Sequence, residues 1–193
     1  MKKAISRLIA LCFVLCLVPM SACTSEIETN NTLSYEELES SAYAVIKDAE
    51  GNIIETLNVE IETIDTATAS EPTSLSKSVT YIARSSSPTS GESDPMDGVT
   101  AVLTISWNDF PGTNNQLNSV SGHWIVGDET ISARKVYYSA ADLWGNTLQA
   151  LEKSPTQNTF EYEPTNFTGY RFYLTSYATI DSTSNRLEFG IYA

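Results

Sequence analysis

The stretch Val99-Thr100-Ala101-Val102-Leu103-Thr104-Ile105-Ser106-Trp107-Asn108 decides the fold. Val99, Ala101, Leu103, Ile105 and Trp107 take every second position, and Thr100, Val102, Thr104, Ser106 and Asn108 take the others. A period of two marks a β-strand, whose successive side chains point to opposite faces of a sheet. Val102 places a β-branched apolar residue on the second face as well, so this strand is expected at the centre of its sheet. Trp107 is expected in the core.

The same rhythm runs outward in both directions. Downstream, Pro111-Gly112 signals a turn within 109–115. Residues 117–126 read as a strand with Val120, Gly122, Trp124 and Val126 on one face, and 127–129 as a turn. Residues 130–139, 159–162, 170–180 and 185–192 read as further strands. The stretch 140–151 is ambiguous: Ala141-Asp142-Leu143-Trp144 suits one helical turn or a loop. Upstream, 42–47 reads as a strand and 48–52 as a turn cluster. A strand over 53–64 follows, with Ile53, Leu57, Val59 and Ile61 on one face. Residues 66–77 hold Pro72 and read as a loop, 78–84 as a strand, and 85–98 as the strongest break, with two prolines and two glycines.

These runs predict an all-β chain: a two-sheet antiparallel β-sandwich, Ig-like or jelly-roll-like, with eight or nine short strands and at most one short helix. No internal repeat is evident. The break at 85–98 could divide two halves, but neither half alone holds much core, so 33–193 is read as a single domain.

The first residues set the compartment. Met1-Lys2-Lys3 is followed by an unbroken apolar run over 8–18, then Pro19 and Ser21-Ala22-Cys23. A positive start, a short apolar run and small residues before a cut describe a secretory signal. The apolar run is too short for a membrane span, which needs about 20 residues. The layout resembles the type II signal peptide of bacterial lipoproteins, over residues 1–23 only. The resemblance implies a signal peptide over 1–22 and a lipid joined through a thioether at Cys23, which anchors the protein to the outer face of the cell membrane. Simple secretion after Ala22 is the alternative, with a soluble extracellular product. Residues 24–32 are polar and acidic, a flexible tether reaching at most about 30 Å.

Cysteine and charge agree with export. Cys12, Cys16 and Cys23 are the only cysteines, so the domain beyond them can form no internal disulfide and holds no thiol nucleophile or thiolate metal site. Lys2, Lys3 and Arg7 account for three of the 11 basic residues, and none of the 24 acidic residues precedes Cys23, which leaves 8 against 24, a net of −16. Such a surface repels phosphate backbones, so nucleic acid is excluded as a partner. Membrane contact is then expected from the lipid and not from a basic patch.

No catalytic constellation assembles in the sequence, and no cofactor is implied. His123 is the only histidine and reads as a surface or strand-edge residue. Glu92, Asp94 and Asp97 are the calcium candidates, because calcium favours carboxylate-rich extracellular loops. Their spacing fits no EF-hand and Pro95 stiffens the loop, so a solvated acidic loop is the plainer reading. Tyrosine is the more informative class. On 170–180, Tyr170, Phe172, Leu174, Ala178 and Ile180 are expected to face the core. Tyr173 and Tyr177 then point outward, roughly 13 Å apart. Tyr137 and Tyr138 face opposite ways. A flat row of exposed tyrosines can stack sugar rings, which makes Tyr173 and Tyr177 the ligand-binding candidates. The plainer reading is that tyrosine suits strands and that cross-strand pairs contribute about 0.2–1 kcal/mol.

The expected function is therefore binding or interaction at the cell envelope without catalysis, with a polysaccharide or a surface protein as partner. The alternatives are a hydrolase of glycan or peptide, whose carboxylates cannot be picked from 24 acids, and an accessory subunit that pairs by strand addition.

Overall fold

A computed structural model describes residues 41–68, 74–85, 98–110 and 112–193. Among these residues there are twelve strands and no helix: β1 (Ala42–Lys47), β2 (Ile53–Thr56), β3 (Asn58–Thr68), β4 (Leu75–Arg84), β5 (Val99–Asp109), β6 (Asn115–Val126), β7 (Ile131–Ala141), β8 (Thr147–Lys153), β9 (Thr159–Tyr162), β10 (Thr168–Gly169), β11 (Arg171–Ile180) and β12 (Arg186–Tyr192). They form two antiparallel sheets. The first runs β2-β1-β12-β11-β7-β8; the second runs β10-β6-β5-β4-β3, with β9 also paired to β6. The fold is the expected two-sheet sandwich, with twelve strands in place of eight or nine.

The strand read first occupies the centre of the second sheet, between β4 and β6. Its odd-numbered side chains enter the core: Val99, Ala101, Leu103, Ile105 and Trp107 are buried. Trp124, Tyr81 and Leu117 join them from the same sheet, and Tyr138, Phe172, Leu174, Phe189 and Ile191 meet them from the other. Trp124 stacks obliquely on Phe160, ring centres 5.3 Å apart. Two polar atoms within this core, Trp124 Nε1 and Ser176 Oγ, lack a hydrogen-bond partner.

Several local expectations are corrected. The run 53–64 is not one strand. It breaks at buried Leu57, whose N–H donates to the Ala44 carbonyl at 2.9 Å, and the chain crosses from the first sheet (β2) to the second (β3). The period of two passes through the crossing, so no turn residue marks it. Ile53 consequently lies exposed on an edge strand. The expected loop over 66–77 is shorter at both ends, because β3 runs to Thr68 and β4 starts at Leu75. Residues 140–151 hold no helical turn; they finish β7, turn, and form β8. Tyr170 lies outside β11 and is exposed, not in the core. Two strands escaped the sequence reading, β8 because its residues are exposed on both faces and β10 because it has two residues.

Two turns of the chain share one short pattern. Asp48-Ala49-Glu50-Gly51-Asn52 and Asp142-Leu143-Trp144-Gly145-Asn146 share the pattern Asp-x-x-Gly-Asn. Each closes a hairpin on a flank of the first sheet, β1–β2 and β7–β8. In each, the glycine N–H donates to the Asp carbonyl at 3.1 Å, and the Asn backbone and side-chain amides both donate to the Asp carboxylate at 2.8–2.9 Å. Gly51 and Gly145 have φ of 92° and 87°, the left-handed position of a type I turn with a bulge. Hydrogen bonds from Asn52 and from Asn146, first among several, hold the two carboxyls below the ordinary aspartate range.

Among the described residues, one ion pair is buried beside the aromatic core. Lys77 Nζ meets Asp109 Oδ2 at 2.6 Å on the inner face, where Lys77 stands opposite Trp107 in the register. Trp107→Ala should cost about 3–5 kcal/mol, a large share of a domain's stability with no disulfide to limit the loss, and chemical denaturation would measure it. Asp109→Ala should cost a similar 3–5 kcal/mol, because it strands the buried ammonium; the paired change Lys77→Met with Asp109→Leu should recover most of that loss.

Candidate functional site

Alternation puts the inner residues of the first sheet in the core and leaves a second row on its outer face. Register aligns that outer row across strands. Tyr43, Gly190, Thr175 and Tyr137 lie side by side on β1, β12, β11 and β7. The next row toward Ser41 holds Tyr192, Tyr173 and Ser139; the row on the other side holds Val45, Glu188, Tyr177 and Lys135. Five tyrosines therefore share one face, spanning about 14 Å across the strands and 13 Å along them.

The tyrosines are interlocked. Tyr173 meets Tyr192 edge-on, centres 5.1 Å apart and planes at 86°. Tyr43 lies 6.3 Å from Tyr192. Gly190 is required here, because a Cβ at that position would collide with the Tyr43 ring. The Arg186 guanidinium sits 5.5 Å from the centre of the Tyr177 ring, a cation–π contact. Glu188 lies beneath these rings with its side chain 10% exposed. One oxygen accepts from the Tyr43 hydroxyl at 3.0 Å and the other from Lys47 Nζ at 2.7 Å, while Arg186 stands 3.6 Å away.

Burial, then the hydrogen bond it donates to Glu188, holds the Tyr43 hydroxyl well above the ordinary phenol value of 10.0. Burial first and the Glu188 charge second raise Tyr177 also, with Arg186 opposing. The result is a flat, half-buried aromatic surface with a fixed acceptor and cations within it.

Of the residues singled out from sequence, Tyr173 and Tyr177 lie on this face, as their phase required, and Tyr137 joins them while Tyr138 is buried. His123 lies apart, on the outer face of the other sheet opposite Val102 and Thr159. Cys23 and the calcium candidates Glu92, Asp94 and Asp97 fall outside the described residues. Among the described residues no group of three or more His, Cys, Asp or Glu is placed to hold a metal. Sequence reasoning missed Tyr43, Tyr192, Glu188 and Lys47. Their signal was the outward phase of Tyr43-x-Val45-x-Lys47 and Arg186-x-Glu188-x-Gly190-x-Tyr192; that the two segments are neighbours is a tertiary fact. Compared with protein families, curated proteins and solved structures, the chain matches none.

The raised Tyr43 value has a definite sign. A group whose folded value exceeds its unfolded one adds stability that is complete below the unfolded value and is lost as pH climbs toward the folded value. The melting temperature should therefore fall above the ordinary 10.0 of Tyr43, and Tyr43→Phe should flatten that alkaline decline, as differential scanning at stepped pH would show.

Proposed function

We propose that this chain is an exported lipoprotein, anchored through Cys23, whose outer tyrosine face binds carbohydrate at the cell envelope. The observation that carries the reading is the gathering of Tyr43, Tyr137, Tyr173, Tyr177 and Tyr192 on one side of one sheet. Sugar rings present C–H faces to aromatic rings, and Tyr combines a broad apolar face with a polar tip. Lys47, Lys135, Arg186 and Glu188 supply donors and acceptors for hydroxyls around that surface. Both Glu188 oxygens are already engaged, which favours holding a ligand over general acid or base chemistry. The anchor rests on the resemblance of residues 1–23 to a type II signal.

Strand addition is the second reading, and β8 favours it. All seven of its residues are exposed, and it forms one edge of the first sheet. Its run Thr147-Leu148-Gln149-Ala150-Leu151 holds neither proline nor charge to discourage pairing.

One experiment separates these readings. The full-length protein is tested for pull-down on insoluble cell-wall and plant polysaccharides, beside Tyr173→Ala with Tyr177→Ala and the anchor variant Cys23→Ser. The double tyrosine variant should keep its melting temperature within a few degrees and lose polysaccharide retention. Cys23→Ser should leave the membrane fraction or remain unprocessed while retaining polysaccharide. Failure of the wild-type protein to bind any polymer would remove the carbohydrate reading, and unchanged membrane association of Cys23→Ser would remove the anchor.

A further inference from the structure

The two Asp-x-x-Gly-Asn turns share one framework but display different residues at the two central positions. The β1–β2 turn shows Ala49 and Glu50; the β7–β8 turn shows Leu143 and Trp144. Because the framework closes in the same way in both, the turn itself does not call for apolar residues. Yet Leu143 is 55% exposed and Trp144 83% exposed. The backbone beneath this side chain is held: the main-chain N–H of Trp144 donates to the Asp142 carboxylate at 2.9 Å. Tyr170 and Leu148, both exposed, flank the tip. Tyr170 N–H donates to the Ala141 carbonyl at 2.8 Å, and Leu148 follows Thr147, which pairs with Ala141. A rigid hairpin thus raises a small apolar cap into solvent.

The placement of the cap in the sandwich is informative. In the first sheet β1 and β7 run in opposite directions, so the two turns lie at opposite ends. Trp144 belongs to the end at which the chain enters the domain: Ser41 pairs with Tyr192 there, and Ala193 with Phe172. Among the described residues, the turns at the far end carry Asp48, Glu50, Asp128, Glu129 and Asp181, with Lys47, Arg84 and Arg186 at the strand ends beside them. The turns and connections at the Trp144 end carry Asp142, whose carboxylate is folded into its own turn, and Glu163 on the way to β10; Arg171 is exposed beside Tyr170.

We infer that the Leu143–Trp144 tip, with Tyr170, rests in the interfacial layer of the lipid bilayer that holds the anchor. The inference depends on the lipoprotein reading above. Tryptophan and tyrosine favour the headgroup level of a bilayer, where the ring is desolvated and its N–H or O–H stays wet. The stretch from Cys23 to Ser41 reaches at most about 60 Å, so a lipid at Cys23 leaves this end, where β1 begins, within reach of the membrane. The tyrosine face of the first sheet then stands upright from the membrane, open along its side to polymer.

The chain has three tryptophans, and Trp107 and Trp124 are buried, so quenching from the aqueous side reports Trp144. The lipid-bearing full chain is reconstituted into vesicles of phosphatidylethanolamine and phosphatidylglycerol. Trp144 emission should shift to the blue, iodide quenching should fall several-fold relative to the protein in lipid-free buffer, and ring-brominated or chain-brominated lipid should quench it. Trp144→Ala serves as the blank. The variant Leu143→Ala with Trp144→Glu copies the other turn and so keeps the hairpin; it should float with vesicles through its lipid but show faster proteolysis at the β7–β8 tip. Wild-type protein that floats with vesicles while Trp144 stays open to iodide and unaffected by brominated lipid would overturn this inference and leave the anchor standing. Protein that does not float would overturn the anchor and this inference together. Shielding of Trp144 in native envelopes but not in protein-free vesicles would assign the tip to a protein partner and overturn the bilayer.

Discussion

The dry contact between two inner sheet faces is the constraint on which the rest of this molecule depends. Trp107, Leu103 and Tyr81 from one sheet meet Phe172, Phe189 and Tyr138 from the other, and the domain contains no disulfide to share the task. Each strand must therefore hold its phase, since a one-residue slip would exchange its buried and exposed rows. The outer faces follow from that requirement. Once Leu187, Phe189 and Ile191 are committed inward, Arg186, Glu188, Gly190 and Tyr192 have one direction left.

What the two outer faces display is not dictated by the core, and they differ. The first sheet shows tyrosines locked to one another around Glu188, with Gly190 leaving room for the Tyr43 ring. The second shows hydroxyl and amide side chains, among them Thr80 bonded to Thr104 at 2.9 Å and Asn118 to Asn108 at 2.8 Å, beside Val102, His123 and Ile125. That asymmetry, more than any single contact, directs attention to the first sheet.

The ends of the sandwich are set by local chemistry. In both Asp-x-x-Gly-Asn turns the aspartate satisfies the backbone amides that a tight turn leaves unpaired, and glycine takes the left-handed position. This leaves two central positions free in each turn. One turn fills them with Ala49 and Glu50 and the other with Leu143 and Trp144, so identical scaffolds give a polar tip and an apolar one.

The alternation of 99–108 was sufficient by itself to establish a strand with Trp107 buried, and its recurrence along the chain an all-β fold, because period two is a local property that survives any arrangement of strands. The same logic placed Tyr173 and Tyr177 outward and Trp124 inward. Local reading failed where the deciding partner is far along the chain. Leu57 carries no turn signal, yet the chain changes sheets there because Ala44 accepts from its N–H on one side and Arg84 pairs with Asn58 on the other. β8 looked ambiguous because an edge strand exposed on both faces shows no alternation to read. Glu188 could not be distinguished from the other acids until β1 was laid beside β12, which brings Tyr43 and Lys47 to its two oxygens across more than 140 residues. Sequence thus determined the phase of each strand, which is a property of neighbours in the chain, and tertiary structure alone decided which strands lie side by side, because only pairing across the chain turns scattered outward tyrosines into one surface.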